Sequence, residues 1–193
     1  FNEVSRSATA KLELGEVLNT VVETATRLLE CDYSSIFLLD AAGKRYVPQV
    51  VHGFTSEDWA EQSFAPGEGL VGAVAESGMP LAVDDVGQDT RVIPGSMMAE
   101  MKSAVLAPLT VGGQVMGVLC VGRREAYRFS PAEVAMLSAL ADQVAMAVEN
   151  ARLFDEVRRF SQELEQRVEE RTQELAEALR KLALERDRVE TLY

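Results

Sequence analysis

The chain has 193 residues, of which 47% are hydrophobic, which is enough for one ordinary domain with a sizeable core plus an extension. Its 31 acidic and 19 basic residues give a formal net charge of −12, and an acidic body repels phosphate backbones, so we expect no nucleic-acid partner. No run approaches roughly 18 consecutive apolar residues, so we also expect no membrane span in this fragment.

The start of the sequence and its cysteines indicate a cytoplasmic fragment. The chain begins at Phe1 and shows no signal-peptide pattern, so we expect a piece of a larger protein. Cys31 and Cys120 are too few for a disulfide scaffold or a four-thiolate zinc site, which fits a reducing cytoplasm. Because His52 is the only histidine, no histidine-based metal cluster or serine triad can form. We expect no metal and no resident cofactor, and the sequence leaves open whether the chain binds a small-molecule ligand.

The first half of the chain predicts a helix followed by a hairpin. Residues 2–30 carry apolar residues at three- and four-residue steps, with an interruption near Gly15. Residues 33–39 and 45–52 are rich in β-branched and aromatic residues and flank a turn, which predicts two antiparallel strands. A short helix is expected to open at Thr55.

The second half predicts a helix, a short strand and a second hairpin. Residues 69–77 are expected to form the helix and residues 81–83 the short strand. Residues 104–111 and 114–123 predict the clearest hairpin, because Gly112-Gly113 between them supplies the positive φ angles of a tight turn.

The last helix begins at a serine cap and shows no stop signal. Ser130 is the cap, Pro131 fills the first helical position, and Glu133 reaches back from the third. Residues 132–193 contain neither Gly nor Pro, so one helix of roughly 90 Å is expected at about 1.5 Å per residue.

The apolar pattern of this helix predicts a parallel coiled coil with a second copy of the chain. Between residues 134 and 148, twelve of fifteen residues are apolar, which indicates burial on more than one face. Between residues 154 and 192 the pattern narrows to heptads, with nine of twelve core positions apolar. We therefore assign 1–151 to a folded domain and 152–193 to a coiled-coil helix or linker. The predicted dimer interface comprises Leu137, Leu140, Val144, Ala151, Phe154, Val157, Leu164, Val168, Leu175, Leu182, Val189 and Leu192.

The early and late apolar seams are out of register. The steps from Ala151 to Phe154 and from Phe154 to Val157 are both three residues, a stammer that locally overwinds a supercoil. We hypothesise that a change in the domain becomes a rotation there, and that a four-residue insertion would restore the heptad. The alternative to a coiled coil is a solvated single helix stabilised by charge pairs four residues apart.

Two groups of residues are candidates for a binding site. Gly67, Gly69 and Gly72 match the dinucleotide-binding spacing, but no apolar strand precedes them, so we interpret them as a turn into a short helix. Aromatic, methionine and aspartate side chains are candidates for a ligand pocket, with core packing and loop capping as the alternatives. These ligand-pocket candidates are Trp59, Phe64, Asp84, Asp85, Met97, Met98 and Met101.

The order of these segments resembles a GAF domain over about residues 3–153. The resemblance is carried by residues 66–75 (PGEGLVGAVA), 81–86 (LAVDDV), 103–109 (SAVLAPL), 117–119 (GVL) and 129–130 (FS). It implies an α+β fold: a central antiparallel sheet of five or six strands with helices on both faces around a ligand cavity, followed here by the long coiled-coil helix.

Subtypes of the family differ at particular residues. Arg123-Arg124 and Glu133-Val134 stand where cyclic-nucleotide-binding relatives carry Asn-Lys and Asp-Glu, so that signature is partial. Neither cysteine is followed by the histidine usual in bilin-binding relatives, residues 86–103 lack the histidine of haem-binding relatives, and the loop cysteines of the sulfoxide reductases are absent.

The resemblance implies a function in signalling rather than catalysis. It implies a non-catalytic, cytoplasmic sensory and dimerisation module of a bacterial signal-transduction protein, such as the sensor histidine kinase of a two-component system. The module would relay ligand or partner state through the parallel coiled coil to an output domain, with flanking signalling domains in the parent chain. The alternatives are a purely structural dimerisation spacer without a ligand, and a small-molecule enzyme, for which the sequence offers no nucleophile and base.

Overall fold

The computed structural model describes the backbone of residues 2–55 and 57–190 and the side chains of residues 14–55 and 58–184. The chain divides into two compact units, Phe1–Ala151 and Arg152–Tyr193. Its elements in chain order are α1 (Asn2–Leu28), β1 (Tyr33–Leu39), β2 (Tyr46–His52), α2 (Gly69–Ser77), β3 (Leu81–Val83), β4 (Ser103–Val111), β5 (Gln114–Arg123) and α3 (Pro131–Glu190), with 3₁₀ helices at Glu57–Glu61, Val86–Gln88 and Met97–Glu100.

The first unit is built on a five-stranded sheet in the order β2-β1-β5-β4-β3, in which all neighbouring strands are antiparallel. The predicted α+β fold is therefore confirmed. The hairpin of β4 and β5 turns at Gly112 and Gly113, whose φ angles are +56° and +82°. Only glycine adopts such angles at little cost, so the two glycines fix where the chain reverses.

The first helix is continuous, without the interruption that the sequence predicts, and it ends two residues earlier than predicted. It runs from Asn2 to Leu28 through Gly15, although a glycine inside a helix costs about 1 kcal/mol relative to alanine. Burial of Leu18, Val22 and Ala25 on its inner face offsets that local cost. The short helix expected at Thr55 is a 3₁₀ helix, Glu57–Glu61.

The sheet separates two hydrophobic cores because side chains alternate along each strand. In β5, Leu119 and Val121 face the first core, which α1 and the beginning of α3 cover. Val118 and Cys120 face the second core, which α2 and the loops before β4 cover. The domain therefore has a helical face and a loop-rich face.

The second unit consists of the part of α3 that follows Ala151. By length and composition, Pro131–Leu184 contains an 18-residue window with a mean hydropathy of 1.2, enough for a helix to cross a membrane. Core helices of soluble proteins pass the same test. Apolar residues of this helix such as Leu137 and Ala141 are buried in the first core, which accounts for part of that hydropathy.

Candidate functional site

The predicted pocket residues separate into two groups, of which the first lies in the second core. Met97, Met98 and Met101 are each 1% exposed, and Phe64 is buried with them beneath the sheet. Trp59 is half-buried and packs against the same cluster. The structure thus brings these five side chains together as packing under the sheet.

The methionines pack directly onto the central strand β5. The sulfur atoms of Met98 and Cys120 lie 4.0 Å apart. A Cβ atom at Gly122 would overlap the Met101 sulfur, so the glycine makes room for that side chain. Any ligand entering between the loops and the sheet would have to displace these methionines, whose flexible side chains adapt to varied shapes.

The two aspartates do not join this cluster. Asp85 accepts hydrogen bonds from the Gly87 backbone N–H (3.0 Å) and from Gln88 Nε2 (2.9 Å), so it caps the 3₁₀ helix that follows β3. The Asp84 side chain is 56% exposed and lies 3.7 Å from Arg128. The structure therefore does not bring Asp84 and Asp85 together with the methionines, and Asp85 has the capping role that was the alternative for these two residues.

The sequence analysis did not identify Ser35 as a buried polar residue of the sheet. Ser35 is fully buried on β1, and its Cα pairs with that of Cys120 on β5. Burial raises the pKa of the Cys120 thiol above its ordinary range. Burial likewise raises the pKa of Cys31 to about 11, with Arg123 opposing the shift. Both cysteines therefore stay protonated and unreactive at neutral pH.

A cluster of polar side chains around Arg123 connects the end of α1, the end of β5 and the beginning of α3. Its guanidinium donates to the Leu29 carbonyl oxygen (2.8 Å), lies 3.7 Å from a Glu133 carboxylate oxygen, and stacks 3.6 Å from the centre of the Tyr127 ring. Tyr127 in turn donates to Glu133 at 3.0 Å. We call Arg123, Tyr127 and Glu133, with Leu29 and Ser130, the junction cluster.

The carboxylate of Glu133 is the centre of the junction cluster. Burial acts to raise its pKa, but hydrogen bonds from Ser130 and Tyr127 and the charge of Arg123 outweigh burial, so the pKa is lowered. This is the capping box predicted from the sequence, extended by the arginine of the partial cyclic-nucleotide signature. The cluster mechanically connects the first helix of the domain to the last.

The glycine motif at α2 forms a tight turn occupied by the protein's own carboxylate. Gly67 donates to the carbonyl oxygen of Gly72 at 2.8 Å, and a Cβ atom at Gly72 would overlap the Ala65 carbonyl oxygen. The Glu68 carboxylate accepts hydrogen bonds from the Ala65 backbone N–H and from Arg45. The spacing therefore reflects close backbone packing.

The residues predicted for the dimer interface have two different environments. Leu137 and Val144 are 0% exposed and pack in the first core, so they cannot contact a second copy, and the prediction was wrong for these two. The cause is that the inner face of α3 covers the sheet and α1. Leu140 and Ala151 are half-buried. In this part of α3 the exposed large apolar residues are Met136 and Met146, which the sequence analysis did not select.

In the second unit the predicted interface residues are exposed. Those whose side chains the structure describes are each between 45% and 65% exposed, namely Phe154, Val157, Leu164, Val168, Leu175 and Leu182. Leu153, Phe160, Leu179 and Leu184 are exposed as well and were not predicted. Val189 and Leu192 lie outside the described side chains. Large exposed apolar patches are a common feature of protein–protein interaction sites.

The antiparallel sheet with a hydrophobic core on each face, together with the capped last helix, defines an α+β domain. The GAF domain family profile matches residues 13–148, so the chain belongs to the GAF domain family. GAF domains occur in signalling proteins, and the curated relatives of this chain include a histidine kinase and a Nif-specific regulatory protein.

Three similar proteins illustrate the relationship. The circadian input-output histidine kinase CikA of Synechococcus elongatus is 27% identical over 93% of this chain and 27% of its own length. The Nif-specific regulatory protein of Herbaspirillum seropedicae is 25% identical over 84% of this chain and 33% of its own length. The GAF domain of a phosphoenolpyruvate-protein phosphotransferase from Coxiella burnetii has a TM-score of 0.68 at 23% identity, covering 80% of this chain and 96% of that one. The chain thus spans about a quarter to a third of these curated relatives.

Proposed function

We propose that this chain is a non-catalytic sensory and dimerisation module of a cytoplasmic signal-transduction protein, which passes a change in the GAF domain through a parallel coiled coil to an output domain such as a histidine kinase. The observation that carries the proposal is the exposed apolar stripe of the second unit, which extends from Leu153 to Leu184. About thirty residues of helix with this stripe facing water would be an aggregation hazard, whereas pairing with a second copy buries the stripe.

The junction cluster supports a route by which the domain acts on the helix. Arg123 holds the carboxylate of Glu133 in the first turn of α3 and, at the same time, the carbonyl oxygen at the end of α1. A shift of β5 or of the loops beneath it would move Arg123 and with it the start of α3. Two alternative arrangements of such a packed junction are the kind of element that a ligand or partner biases.

The chemistry of the described residues supports a role without catalysis. Both cysteines are buried with raised thiol pKa values, and the described part of the chain holds no group of three or more His, Cys, Asp and Glu residues placed to bind a metal ion.

A chimera tests the relay. The chain, residues 1–190, is fused in heptad register to the dimerising and catalytic core of a histidine kinase, and autophosphorylation is measured. A seven-residue insertion after Arg180 keeps the heptad phase and is expected to leave activity within about twofold, while a four-residue insertion rotates the output domain and is expected to change it severalfold. Equal activity for both insertions would refute the relay.

The second candidate is a dimerisation spacer without a ligand, favoured by the methionine packing of the second core. Native mass spectrometry of gently purified protein distinguishes the two. A retained small molecule that is lost when Met98 is replaced by tryptophan favours sensing, whereas a bare mass that no compound shifts in a thermal screen favours the spacer.

A further inference from the structure

We propose that, in the dimer on which the proposed function rests, the two copies meet along Leu153, Val157, Phe160 and Leu164. This set, which we call the Phe160 seam, differs from the heptad positions predicted from the sequence. Its location changes where the coiled coil departs from regular heptads and in which direction it departs.

Exposure and spacing carry the choice of residues. Phe160 is 71% exposed, Val157 65%, Leu164 58% and Leu153 47%. Their spacing is four, three and four residues, which is the core pattern of a coiled coil. They line one apolar groove on the helix surface together with Glu156 and Ser161.

The predicted alternative over the same span is Phe154, Val157, Ser161 and Leu164. It shares two positions with the Phe160 seam but places a serine hydroxyl in the core and leaves Phe160 at the flank. Each register buries one phenylalanine, Phe160 in one case and Phe154 in the other, so the two registers differ by Leu153 in place of Ser161. Burying a leucine side chain contributes about 1.5–3 kcal/mol, whereas a serine contributes little. The register that buries Phe160 is therefore the more stable one.

The exposure of apolar residues in the part of α3 before Ala151 agrees with this register when residues are counted back along the sequence in steps of seven. Counting back from Phe160 in steps of seven residues reaches Met146 at the second step, and counting back from Val157 reaches Met136 at the third step; both methionines are exposed. Counting back from Phe154 in the same way gives Ala147 and Leu140, which are half-buried in the domain.

The occupant we assign to the Phe160 seam is a second parallel copy of the chain. Residues 152–193 hold 9 basic and 11 acidic residues, a net charge of −2, against −10 for residues 1–151. The linker therefore associates with itself against little repulsion, and its mixed charges flank the apolar stripe. A parallel copy brings each apolar residue to the level of its own counterpart.

The Phe160 seam relocates the irregularity in the coiled coil. The exposed residues Phe160, Leu164 and Val168 follow at two successive four-residue steps. Two such steps form a stutter, which locally unwinds a left-handed supercoil, whereas the stammer predicted near Ala151 would overwind it. Inserting three residues after Leu164, rather than four after Ala151, would restore regular heptads.

Disulfide cross-linking of adjacent single-cysteine variants tests the register. Phe160→Cys is compared with Ser161→Cys, and Leu153→Cys with Phe154→Cys, because a disulfide requires Cβ atoms about 3.8 Å apart. The native thiols do not compete, since both are buried with raised pKa values. The Leu153/Phe154 pair leaves Phe160 in place, so it remains informative if F160C weakens association.

We expect F160C and L153C to cross-link at least about fivefold faster than S161C and F154C, respectively. Equal or faster cross-linking at residues 161 and 154, in a chain that sediments as a dimer, overturns the register and leaves the proposed function intact. A chain that sediments as a monomer and cross-links at none of the four positions overturns both.

Discussion

Replacing Arg123 by alanine should destabilise the GAF domain strongly, because one guanidinium holds three elements together. The substitution removes the hydrogen bond to the Leu29 carbonyl oxygen, the pairing with Glu133 and the stacking on Tyr127. The Arg123 side chain is 19% exposed, so these contacts are largely shielded from water.

The expected magnitude follows from these three contacts. A hydrogen bond from a charged donor is worth about 1.5–3 kcal/mol, and a cation–π contact about 0.5–2 kcal/mol. The ion pair with Glu133 keeps some solvent contact and adds at most about 1 kcal/mol. Since the three are not independent, we expect R123A to lower the free energy of unfolding by about 2–4 kcal/mol, and R123K by about half as much.

Urea unfolding followed by the fluorescence of Trp59, the single tryptophan, measures this free energy in the first unit. Arg128→Ala is the matched control, because its side chain is 89% exposed and its ion pair is with the exposed Asp84. We expect R128A to change stability by less than about 0.5 kcal/mol. If R123A has as small an effect as R128A, the junction cluster does not hold the helices together.

Two further predictions concern the same domain. The lowered pKa of Glu133 contributes stability that is present above the ordinary glutamate pKa of 4.5 and is lost as the pH falls through the folded-state pKa. Glu133→Gln should therefore flatten the dependence of the free energy of unfolding on pH below pH 4.5. An unchanged slope in urea unfolding experiments at acid pH would contradict this prediction. Gly15→Ala should raise the free energy of unfolding by about 0.5–1 kcal/mol, because a Cβ atom at this helical position meets no atom within 4 Å. Gly72→Ala should lower the free energy of unfolding by more than about 2 kcal/mol, because its Cβ atom would overlap the Ala65 carbonyl oxygen. Equal melting temperatures for the two variants would refute that contrast.

The sequence predicts the strands well because their signals are local. The two glycines of the second hairpin, the alternation in β5 and the Ser130 capping box each lie within a few residues of the feature they specify. The interruption near Gly15 was predicted wrongly, because tertiary packing of α1 overrides the local cost of one glycine.

The inner and outer faces of α3 could not be distinguished from the sequence. Where twelve of fifteen residues are apolar, periodicity does not show which face covers the sheet, and so Leu137 and Val144 were assigned to the wrong partner. The junction cluster escaped for a related reason. Arg123 and Leu29 are 94 positions apart, and only the fold brings them together.

The oligomeric state of the chain in solution tests the central claim most directly. Sedimentation velocity at micromolar concentration should give twice the chain mass of 21.1 kDa. Leu164→Glu, which places a charge in the apolar stripe, should shift the protein to the single-chain mass, while Gln162→Glu on the opposite side of the helix should not. A wild-type chain that sediments at 21.1 kDa would contradict the account.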